Sequence, residues 1–426
     1  MKKLKKSSFI TDICITFSGQ IIVLITNFII NKMISIFVGV SQFGVFNIAK
    51  RASTVICYII LLELGISIPR YFAMNVRKNK KLAFEYYQTG MYLITITSFV
   101  AAIMALIFPD FIAKLLFGTS GYESFVIPMI IFSIGLCFNT FIFSAYRGAE
   151  FFYLYSIVQI VTQIVNMVVI FFCRNAGIAV ILNYWGVSNI IISLVLITIF
   201  AILNSVPLFV KINRFRQRVK ELLVYGVPRI FGDIIQFSYY LLPLMFVNKR
   251  FGNIESGLFS ASTGILQSFL PFFSYIGIIL LPKVSQALVD GKIEKVQKQI
   301  NVLMVLYLLF AGIAVAIGSI FAKPIMILLY SSNYAHNLDI ARILLITLIP
   351  RAQFLLLRNP IDAVSIKPYN TINLTLSMMI MIMVMVIAKN VYLIAWSFVI
   401  SDLVLFICSY SNWRRLNRRS TFDGRI

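Results

Sequence analysis

The chain contains 426 residues, of which 60% are hydrophobic and only 12% are charged, and its formal net charge is +23. Soluble domains carry about 25% charged residues, so this composition excludes an ordinary soluble protein. The lysines and arginines are spread over short polar segments and do not form one basic patch, which argues against nucleic-acid binding and indicates a membrane topology.

Apolar runs of about 18 or more residues recur from end to end and predict an all-α polytopic membrane protein with twelve transmembrane helices. The start, MKKLKK followed by an apolar run, is similar to a signal peptide. The run from Ser7 to Asn31 is long, however, and no small-residue cleavage site follows it, so we predict a retained first helix. The predicted spans are 9–31, 43–69, 86–108, 125–146, 153–173, 178–204, 222–247, 257–281, 300–322, 340–358, 369–388 and 391–411.

The distribution of positive charge predicts the orientation of these spans. Of the 38 lysines and arginines, 26 fall on the side of the two termini, seven fall on the opposite side, and five lie within the spans. Because short cytoplasmic segments carry an excess of lysine and arginine, both termini are predicted to be cytoplasmic.

The second half of the sequence repeats the first at a constant offset, which aligns Gly39 with Gly252. Each half holds six predicted spans, so both halves enter the membrane from the same side as parallel repeats. We therefore predict two pseudo-symmetric six-helix bundles, formed by residues 1–210 and 211–426. Transporters built in this way place their substrate site between the halves, near the membrane midplane.

Besides Asp12 and Arg358, eight charged residues lie within the predicted spans, where a lysine or arginine at the bilayer centre costs roughly 2.5–3.5 kcal/mol. Features that the shared scaffold needs should recur in both halves, but these charges do not: Lys50 aligns with Thr263, and Asp402 aligns with Asn189. This asymmetry favours a functional role. We predict substrate contacts for the cations Lys50, Arg51, Arg229, Arg342 and Arg351, and ion coupling for the acids Glu63, Asp233 and Asp402.

Structural explanations remain open for some of these charges. Arg229 and Asp233 are four residues apart and could neutralise each other, and the cations near the outer face could extend toward water. Arg351 is predicted near mid-span and has no such route, so we expect it to line the interior of the protein. Asp402 could carry a proton or could be the static partner of an arginine.

Side chains that commonly hold metals or act as nucleophiles form no pattern in this sequence. The five cysteines fall within apolar spans without CxxC or His/Cys spacing, and the single histidine, His336, lies in a predicted loop. Buried apolar thiols explain the cysteines. The sequence also contains no glycine-rich phosphate loop. We predict no cofactor, no metal site and no enzymatic activity.

Three segments resemble one family. The pattern FVGVSQFGVFNIAKR…LLELGISIPRY (37–71) resembles the first helical hairpin of lipid-linked oligosaccharide flippases, which belong to the multidrug/oligosaccharidyl-lipid/polysaccharide exporter superfamily. The segment AYRGAEFFYLYSIVQI (145–160) resembles the turn between the fourth and fifth helices of that family. The segment LRNPIDAVSIKPYNTIN (357–373) resembles the turn between the tenth and eleventh helices of flippases for capsule or O-antigen repeat units.

The resemblance implies a multi-pass protein of the bacterial cytoplasmic membrane, with two bundles around a lumen that opens alternately to either side. It implies a cargo in the lipid bilayer, an oligosaccharide repeat unit attached to a polyprenyl diphosphate. The diphosphate is anionic, and cations in a lumen of low dielectric would bind it strongly. Coupling to a proton or sodium gradient could drive the transport.

Two other classes of protein are alternatives. Drug–cation antiporters share the superfamily and the topology, but a cationic interior disfavours cationic drugs. A membrane-embedded glycan polymerase or ligase would need a sizeable external loop with catalytic residues, and the predicted external loops are short. The lipid II flippase branch of the superfamily usually has fourteen spans, whereas twelve are predicted here.

Overall fold

The computed structural model describes residues 9–76, 79–118, 121–149, 151–204, 212–289, 293–336, 338–365 and 367–422. Within these ranges the chain is helical and contains no strand, as predicted. The helices of the first half are α1 (Phe9–Leu61), α2 (Leu64–Val76), α3 (Lys80–Ile107), α4 (Pro109–Phe117), α5 (Glu123–Gly148), α6 (Phe152–Phe172) and α7 (Ile178–Leu203).

The second half begins with one very long helix. Its helices are α8 (Phe215–Val289), α9 (Ile293–Ile320), α10 (Ala322–Leu329), α11 (Leu338–Ile346), α12 (Leu348–Val364), α13 (Tyr369–Ile387) and α14 (Val391–Phe422), with a short 3₁₀ helix at Ser332–Tyr334. The short helices α4 and α10 were not predicted and fall in segments that the sequence analysis treated as connections.

The chain divides into two compact units, Met1–Ser238 and Tyr239–Ile426. The first part of α8 belongs to the first unit, where the ring of Tyr225 lies 4.3 Å from the Arg70 guanidinium. The compact units therefore divide later in the chain than the predicted repeat boundary at residues 210 and 211, and that boundary stays a prediction.

Ten helical stretches of the described residues are long and apolar enough to cross a membrane. Two of them, Ser18–Leu61 and Ile230–Ser274, contain 44 and 45 residues. At 1.5 Å per residue such a helix is about 66 Å long, roughly twice the thickness of the hydrocarbon core. Each of the two therefore supplies two spans, which gives the twelve transmembrane helices that the sequence predicts.

Both of these long stretches bend at a glycine. The backbone leaves the helical conformation at Gly39, with φ 72° and ψ 173°, and at Gly252, with φ 87° and ψ 177°. This region of backbone conformation is essentially restricted to glycine. The two glycines that align in the sequence repeat thus have the same structural role, and the connections predicted at 32–42 and 248–256 are helical up to these bends.

Other helix boundaries confirm the repeat. At the offset that aligns Gly39 with Gly252, the first and last residues of α9 coincide with those of α3. The first residues of α10 and α14 coincide in the same way with those of α4 and α7. The two halves therefore share one scaffold of six spans, as the sequence comparison predicts.

The second predicted span departs from this symmetry because α1 and α2 are separated at Leu62 and Glu63. These two residues have φ values of 50° and 58°, a left-handed conformation that is uncommon for residues other than glycine. At the aligned positions, 275 and 276, α8 continues without a break. The predicted continuous span 43–69 is therefore wrong at this point, and the break belongs to the first half only.

The predicted tenth span, 340–358, is likewise divided into α11 and α12, at Thr347. Pro350 follows three residues later and has no N–H to donate to the carbonyl of Ile346, which explains the interruption.

Aromatic side chains form much of the core of the first unit. The ring of Phe200 in α7 lies 5.1–6.0 Å from the rings of Phe72, Phe84, Tyr87 and Tyr146. This cluster joins α2, α3, α5 and α7. Ile60 and Leu61 of α1 belong to the same buried core, so the helices on both sides of the break at residues 62 and 63 are anchored in it.

Helices α5 and α7 also approach each other closely at two glycines. A Cβ atom on Gly135 would lie 2.5 Å from the carbonyl oxygen of Gly186, and one on Gly186 would lie 2.6 Å from the backbone nitrogen of Phe132. Small residues allow such backbone contact between membrane helices.

Large apolar side chains are exposed along the outer surfaces of the helices. Phe99, Phe172 and Ile320 are 68%, 79% and 74% exposed. Exposed apolar surface on this scale is unusual for a soluble monomer and fits contact with lipid.

Candidate functional site

Two buried charges form an ion pair in the second unit. Arg351 of α12 and Asp402 of α14 are 6% and 0% exposed. The Nε atom of Arg351 donates a hydrogen bond to Oδ2 of Asp402 at 3.0 Å. The Nη2 atom lies 3.0 Å from Oδ1, without hydrogen-bond alignment. The two charges therefore neutralise each other inside the bundle.

Tyr239 of α8 completes this group. Its hydroxyl donates to Oδ1 of Asp402 at 3.0 Å and lies within hydrogen-bond distance of the hydroxyls of Ser377 and Ser401. The Arg351 guanidinium lies 4.5 Å from the centre of the Tyr239 ring, a favourable cation–π distance. One hydroxyl thus links α8, α13 and α14 around the ion pair.

This arrangement bears on the expectation for Arg351. The sequence analysis gave this cation no route to water and did not name its partner; the structure supplies a carboxylate 51 residues further along the chain. Of the two roles left open for Asp402, the geometry matches that of a static partner, because both of its oxygens contact Arg351.

Arg342 is also paired, but in a different setting. Its Nη1 atom lies 2.9 Å from Oδ1 of Asp339, and both side chains are at least half exposed. The side chain therefore lies near the start of α11 and does not take part in the buried ion pair. Exposed ion pairs of this kind contribute little to stability.

The two other predicted acids, Glu63 and Asp233, belong to the first unit. Glu63 is buried in the break between α1 and α2, where its carbonyl oxygen accepts hydrogen bonds from the backbone nitrogens of Ile66 and Ser67. Asp233 is half-buried in α8. The side chain of Arg229 lies outside the described part of the structure, so its pairing with Asp233 stays a prediction.

A polar cavity of about 200 Å³ lies inside the first unit, among α1, α5, α6 and α7. Lys50 is the one charged residue among the described residues that line it, and Thr54, Thr140 and Thr162 contribute hydroxyls. Six lining side chains are carboxamides: Asn27, Asn139, Gln159, Gln163, Asn166 and Asn189. This concentration of amides inside a membrane helix bundle is the main polar feature of the first unit.

Lys50 lies on the wall of the cavity with neutral neighbours. Its Nζ atom donates to Oδ1 of Asn31 at 3.1 Å and lies 5.4 Å and 5.8 Å from the ring centres of Trp185 and Phe46. No carboxylate of the described part of the chain pairs with it. The adjacent Arg51 is half-buried and does not line the cavity, in keeping with side chains that are 100° apart on a helix.

A further cluster of charges joins the start of α8 to α3. Arg218 lies 2.9 Å from Glu221 and 3.7 Å from Glu85, and the Tyr86 hydroxyl donates to Glu221. Burial raises the pKa of Glu221, but hydrogen bonds from Tyr86, Arg218 and Gln217 outweigh this and lower its pKa. Glu85 is 4% exposed and lies before the predicted span 86–108, so the predicted balance of five cations against three acids omitted one buried acid.

Sequence reasoning missed Tyr239 and the carboxamides of the cavity. A usable signal was present in the repeat, because four of the six amides align with apolar residues of the second half. Asn139 aligns with Ala352, and Gln163 aligns with Leu376. The comparison was applied to charged residues only.

Comparison with known proteins gives a match at the level of structure. No protein-family model matches the sequence. A search of curated protein sequences also gives no match.

Solved structures of membrane transporters match nearly the whole chain. An inward-facing multidrug-resistance transporter of the MATE family, in the MOP superfamily, matches with a TM-score of 0.78 and 13% identity, over 94% of this chain and 96% of that one. An outward-facing MATE family transporter matches with a TM-score of 0.68 and 13% identity, over 96% of each chain. A MOP superfamily transporter from Pyrococcus furiosus, for which a reversed polarity of the binding pocket suggests a different function, matches with a TM-score of 0.69 and 13% identity, over 98% of this chain and 95% of that one.

At these identities the likeness shows the fold. The chain has the fold of the MATE transporters of the MOP superfamily, an all-α membrane protein with twelve transmembrane helices in two bundles.

Proposed function

We propose that the protein is a flippase that moves polyprenyl-diphosphate-linked oligosaccharide across the bacterial cytoplasmic membrane by alternating access. The observation that carries this proposal is Lys50, a half-buried cation without a carboxylate partner in the described part of the chain, on the wall of a cavity lined by amides. The twelve-span fold and its likeness to transporters support the transport function.

The charges that remain after pairing favour an anionic cargo. Asp402 neutralises Arg351, and Asp339 accompanies Arg342, whereas the cavity of the first unit keeps the charge of Lys50. A cation in surroundings of low dielectric attracts phosphates and carboxylates and repels cationic ligands. Contact with an anionic group of the cargo, a phosphate or a sugar carboxylate, is therefore assigned to Lys50, with Arg51 as its neighbour on the same helix.

The remaining predicted site residues have conditional roles in this proposal. Arg351 would contact cargo only in a conformation that separates it from Asp402. Coupling to protons or sodium through Glu63, Asp233 or Asp402 would require a change in the surroundings of the carboxylate during transport.

Drug–cation antiport is the second candidate, and one observation favours it: matching structures include multidrug-resistance transporters of the same fold. The two candidates differ in the expected effect of Lys50. A lysine in the cavity should hinder entry of a cationic drug, so its removal would leave drug transport unchanged or increase it. Removal of the same lysine should reduce the movement of an anionic cargo.

The deciding experiment uses the purified full chain in proteoliposomes. Turnover of a lipid-linked oligosaccharide and uptake of a cationic dye are measured in parallel for the wild type, for Lys50→Gln and for Lys389→Gln. Lys389 is an exposed lysine of the second unit. Lys389→Gln therefore removes one positive charge, as Lys50→Gln does, but at a position outside the cavity. The proposal expects glycan turnover in the wild type and in Lys389→Gln, with a loss of about tenfold or more in Lys50→Gln. Dye uptake without glycan turnover would favour the antiporter.

The proposed orientation places both termini in the cytoplasm. Single cysteines at Arg216 and Lys249, introduced after replacement of the native cysteines, should react with an impermeant thiol reagent from opposite sides of the membrane. Labelling of both positions from one side would contradict the proposed topology.

A further inference from the structure

We propose that the cavity of the first unit binds a single acidic monosaccharide ring, with the carboxylate of the sugar at Lys50 and its hydroxyls at the surrounding carboxamides. The inference rests on the proposed function, since it names the part of the glycan that this half of the transporter recognises.

The size of the cavity sets the size of the ligand. The cavity has a volume of about 200 Å³. Pockets for drug-sized molecules measure roughly 300–1,000 Å³. The cavity is therefore too small for a whole drug or a whole repeat unit and matches one sugar ring.

The charge of the cavity sets the sign of the ligand. Lys50 provides an ammonium group, and no described lining residue is acidic. A sodium ion or another metal cation would meet a like charge without any carboxylate ligand, although hard cations prefer carboxylate oxygens. A carboxylate, in contrast, would form a charge-assisted hydrogen bond with the ammonium group.

Three lining side chains have a buried polar atom without a hydrogen-bond partner. These atoms are Oε1 of Gln163, Nδ2 of Asn189 and Nε1 of Trp185. Asn189 and Trp185 are 1% and 4% exposed, so a molecule held inside the cavity, water or ligand, has to supply the missing partners. Buried polar groups in native proteins normally have partners, and such exceptions need an explanation.

The three unpartnered atoms comprise two donors and one acceptor, which suits the chemistry of a sugar. A hydroxyl group both donates and accepts hydrogen bonds. A ring with several hydroxyls can therefore satisfy all three atoms, whereas a simple anion such as chloride only accepts. Asn139, Gln159 and Asn166 are held by bonds within the protein, for example Asn166 to Asn189 at 2.9 Å and Ser193 to Asn139 at 2.7 Å.

The repeat indicates that the fold does not need these polar groups. At the aligned positions of the second half, Gln159, Gln163 and Asn166 are replaced by Ile372, Leu376 and Met379. Lys50 is replaced by Thr263 and Trp185 by Phe398. The second half keeps the same helices with apolar residues in place of these three amides of α6, so the fold does not require them and we attribute their polarity to a ligand.

The test measures binding of free monosaccharides to the purified full chain. The probes are glucuronate, its uncharged analogue glucuronamide, and acetate as a carboxylate without a ring. Binding is followed by calorimetry and by the fluorescence of tryptophan, because Trp185 lines the cavity. The proposal expects glucuronate to bind about tenfold or more tightly than glucuronamide, since a hydrogen bond to a charged group is stronger than a neutral one.

Two variants of the lysine separate loss of binding from loss of folding. Lys50→Thr introduces the residue of the second repeat, and Lys50→Gln keeps most of the side-chain length. Both should reduce the preference for glucuronate over glucuronamide to about onefold, while Lys389→Gln retains it. The comparison of the two sugars in the wild type needs no variant, so it decides the role of charge even if both variants fail to fold.

Several outcomes would overturn the inference. The first is equal binding of glucuronate and acetate, which would indicate a site for small anions. The second is an unchanged preference for glucuronate over glucuronamide in a folded Lys50→Thr variant. The third is that neither sugar binds. The proposed function is tested separately by turnover of lipid-linked glycan. Binding of glucuronate without turnover of lipid-linked glycan would refute the flippase function but support the sugar site. Turnover without binding of glucuronate would support the flippase function and refute the sugar site.

Discussion

The burial of the Arg351–Asp402 ion pair allows a quantitative prediction of how substitutions change the free energy of unfolding. The variants are Arg351→Met, Asp402→Asn and the two combined. Each single variant leaves one buried charge without its partner. The combined variant removes both charges, and asparagine keeps an oxygen that can accept the hydrogen bond of Tyr239.

The magnitude follows from the burial of the pair. Asp402 is 0% exposed and Arg351 is 6% exposed, so neither charge can reach water after its partner is removed. Loss of one partner of a buried ion pair costs about 3–5 kcal/mol, whereas replacement of both by uncharged residues is often neutral. We therefore expect each single variant to lose about 3–5 kcal/mol, and the combined variant to recover most of that loss.

The assay is reversible unfolding of the detergent-solubilised protein by denaturant, with the three variants analysed as a double-mutant cycle. Arg342→Met serves as the control, because Arg342 forms an ion pair of similar length, 2.9 Å, with exposed side chains. Exposed pairs are worth about 0–1 kcal/mol, so this variant should change stability little.

Additive losses in the cycle would refute this reasoning. If the combined variant lost as much as the two single variants together, the charges would not depend on each other for their stability. The same Asp402→Asn variant tests ion coupling. A static pair predicts lower stability with normal pH dependence of transport by the remaining folded protein, whereas a proton carrier predicts loss of that dependence with the fold intact.

Three further predictions concern the scaffold. Gly252→Ala should cost about 1–3 kcal/mol in unfolding experiments because the backbone there, with φ 87°, suits only glycine; an unchanged midpoint would contradict the bend. Gly186→Ala places a Cβ 2.6 Å from the backbone nitrogen of Phe132 and should also cost about 1–3 kcal/mol, whereas Gly312→Ala, with no atom within 4 Å of the new Cβ, should be neutral or stabilising. Glu221→Gln should lower stability above the pKa of an unfolded glutamate, roughly 4.3, and this difference should disappear as the pH falls through the lower pKa of folded Glu221. Equal effects of Glu221→Gln at pH values on both sides of this range would show that the carboxylate is not stabilised by its hydrogen bonds.

The spans and the repeat could be predicted from the sequence because both depend on local composition and spacing. Runs of apolar residues define the spans, and the sequence aligned Gly39 with Gly252, where the structure has two bends of the same kind. The break at Leu62 and Glu63 could not be predicted, since neither residue has an intrinsic preference for the left-handed conformation. Packing of the surrounding helices imposes it.

The sites were predicted less completely, for a physical reason. Charged residues are conspicuous in apolar spans, so Lys50, Arg351 and Asp402 were recognised individually. The contacts among them depend on helix packing between distant segments, and the 51 residues between Arg351 and Asp402 gave no indication of a pair. Amides are less conspicuous than charges in an apolar span. Gln163 and Asn166 can be recognised as parts of a site only from the packing of several helices around one cavity.

The agreement of helix boundaries between the two repeats has a consequence for changes in chain length. Insertion or deletion of one residue within a span would rotate every later residue of that helix by about 100°. Such a rotation would turn buried polar side chains toward lipid and lipid-facing phenylalanines toward the interior. Helices α3 and α9 therefore have the same length although most of their aligned residues differ. Within this span the two halves differ by substitutions and not by insertions or deletions.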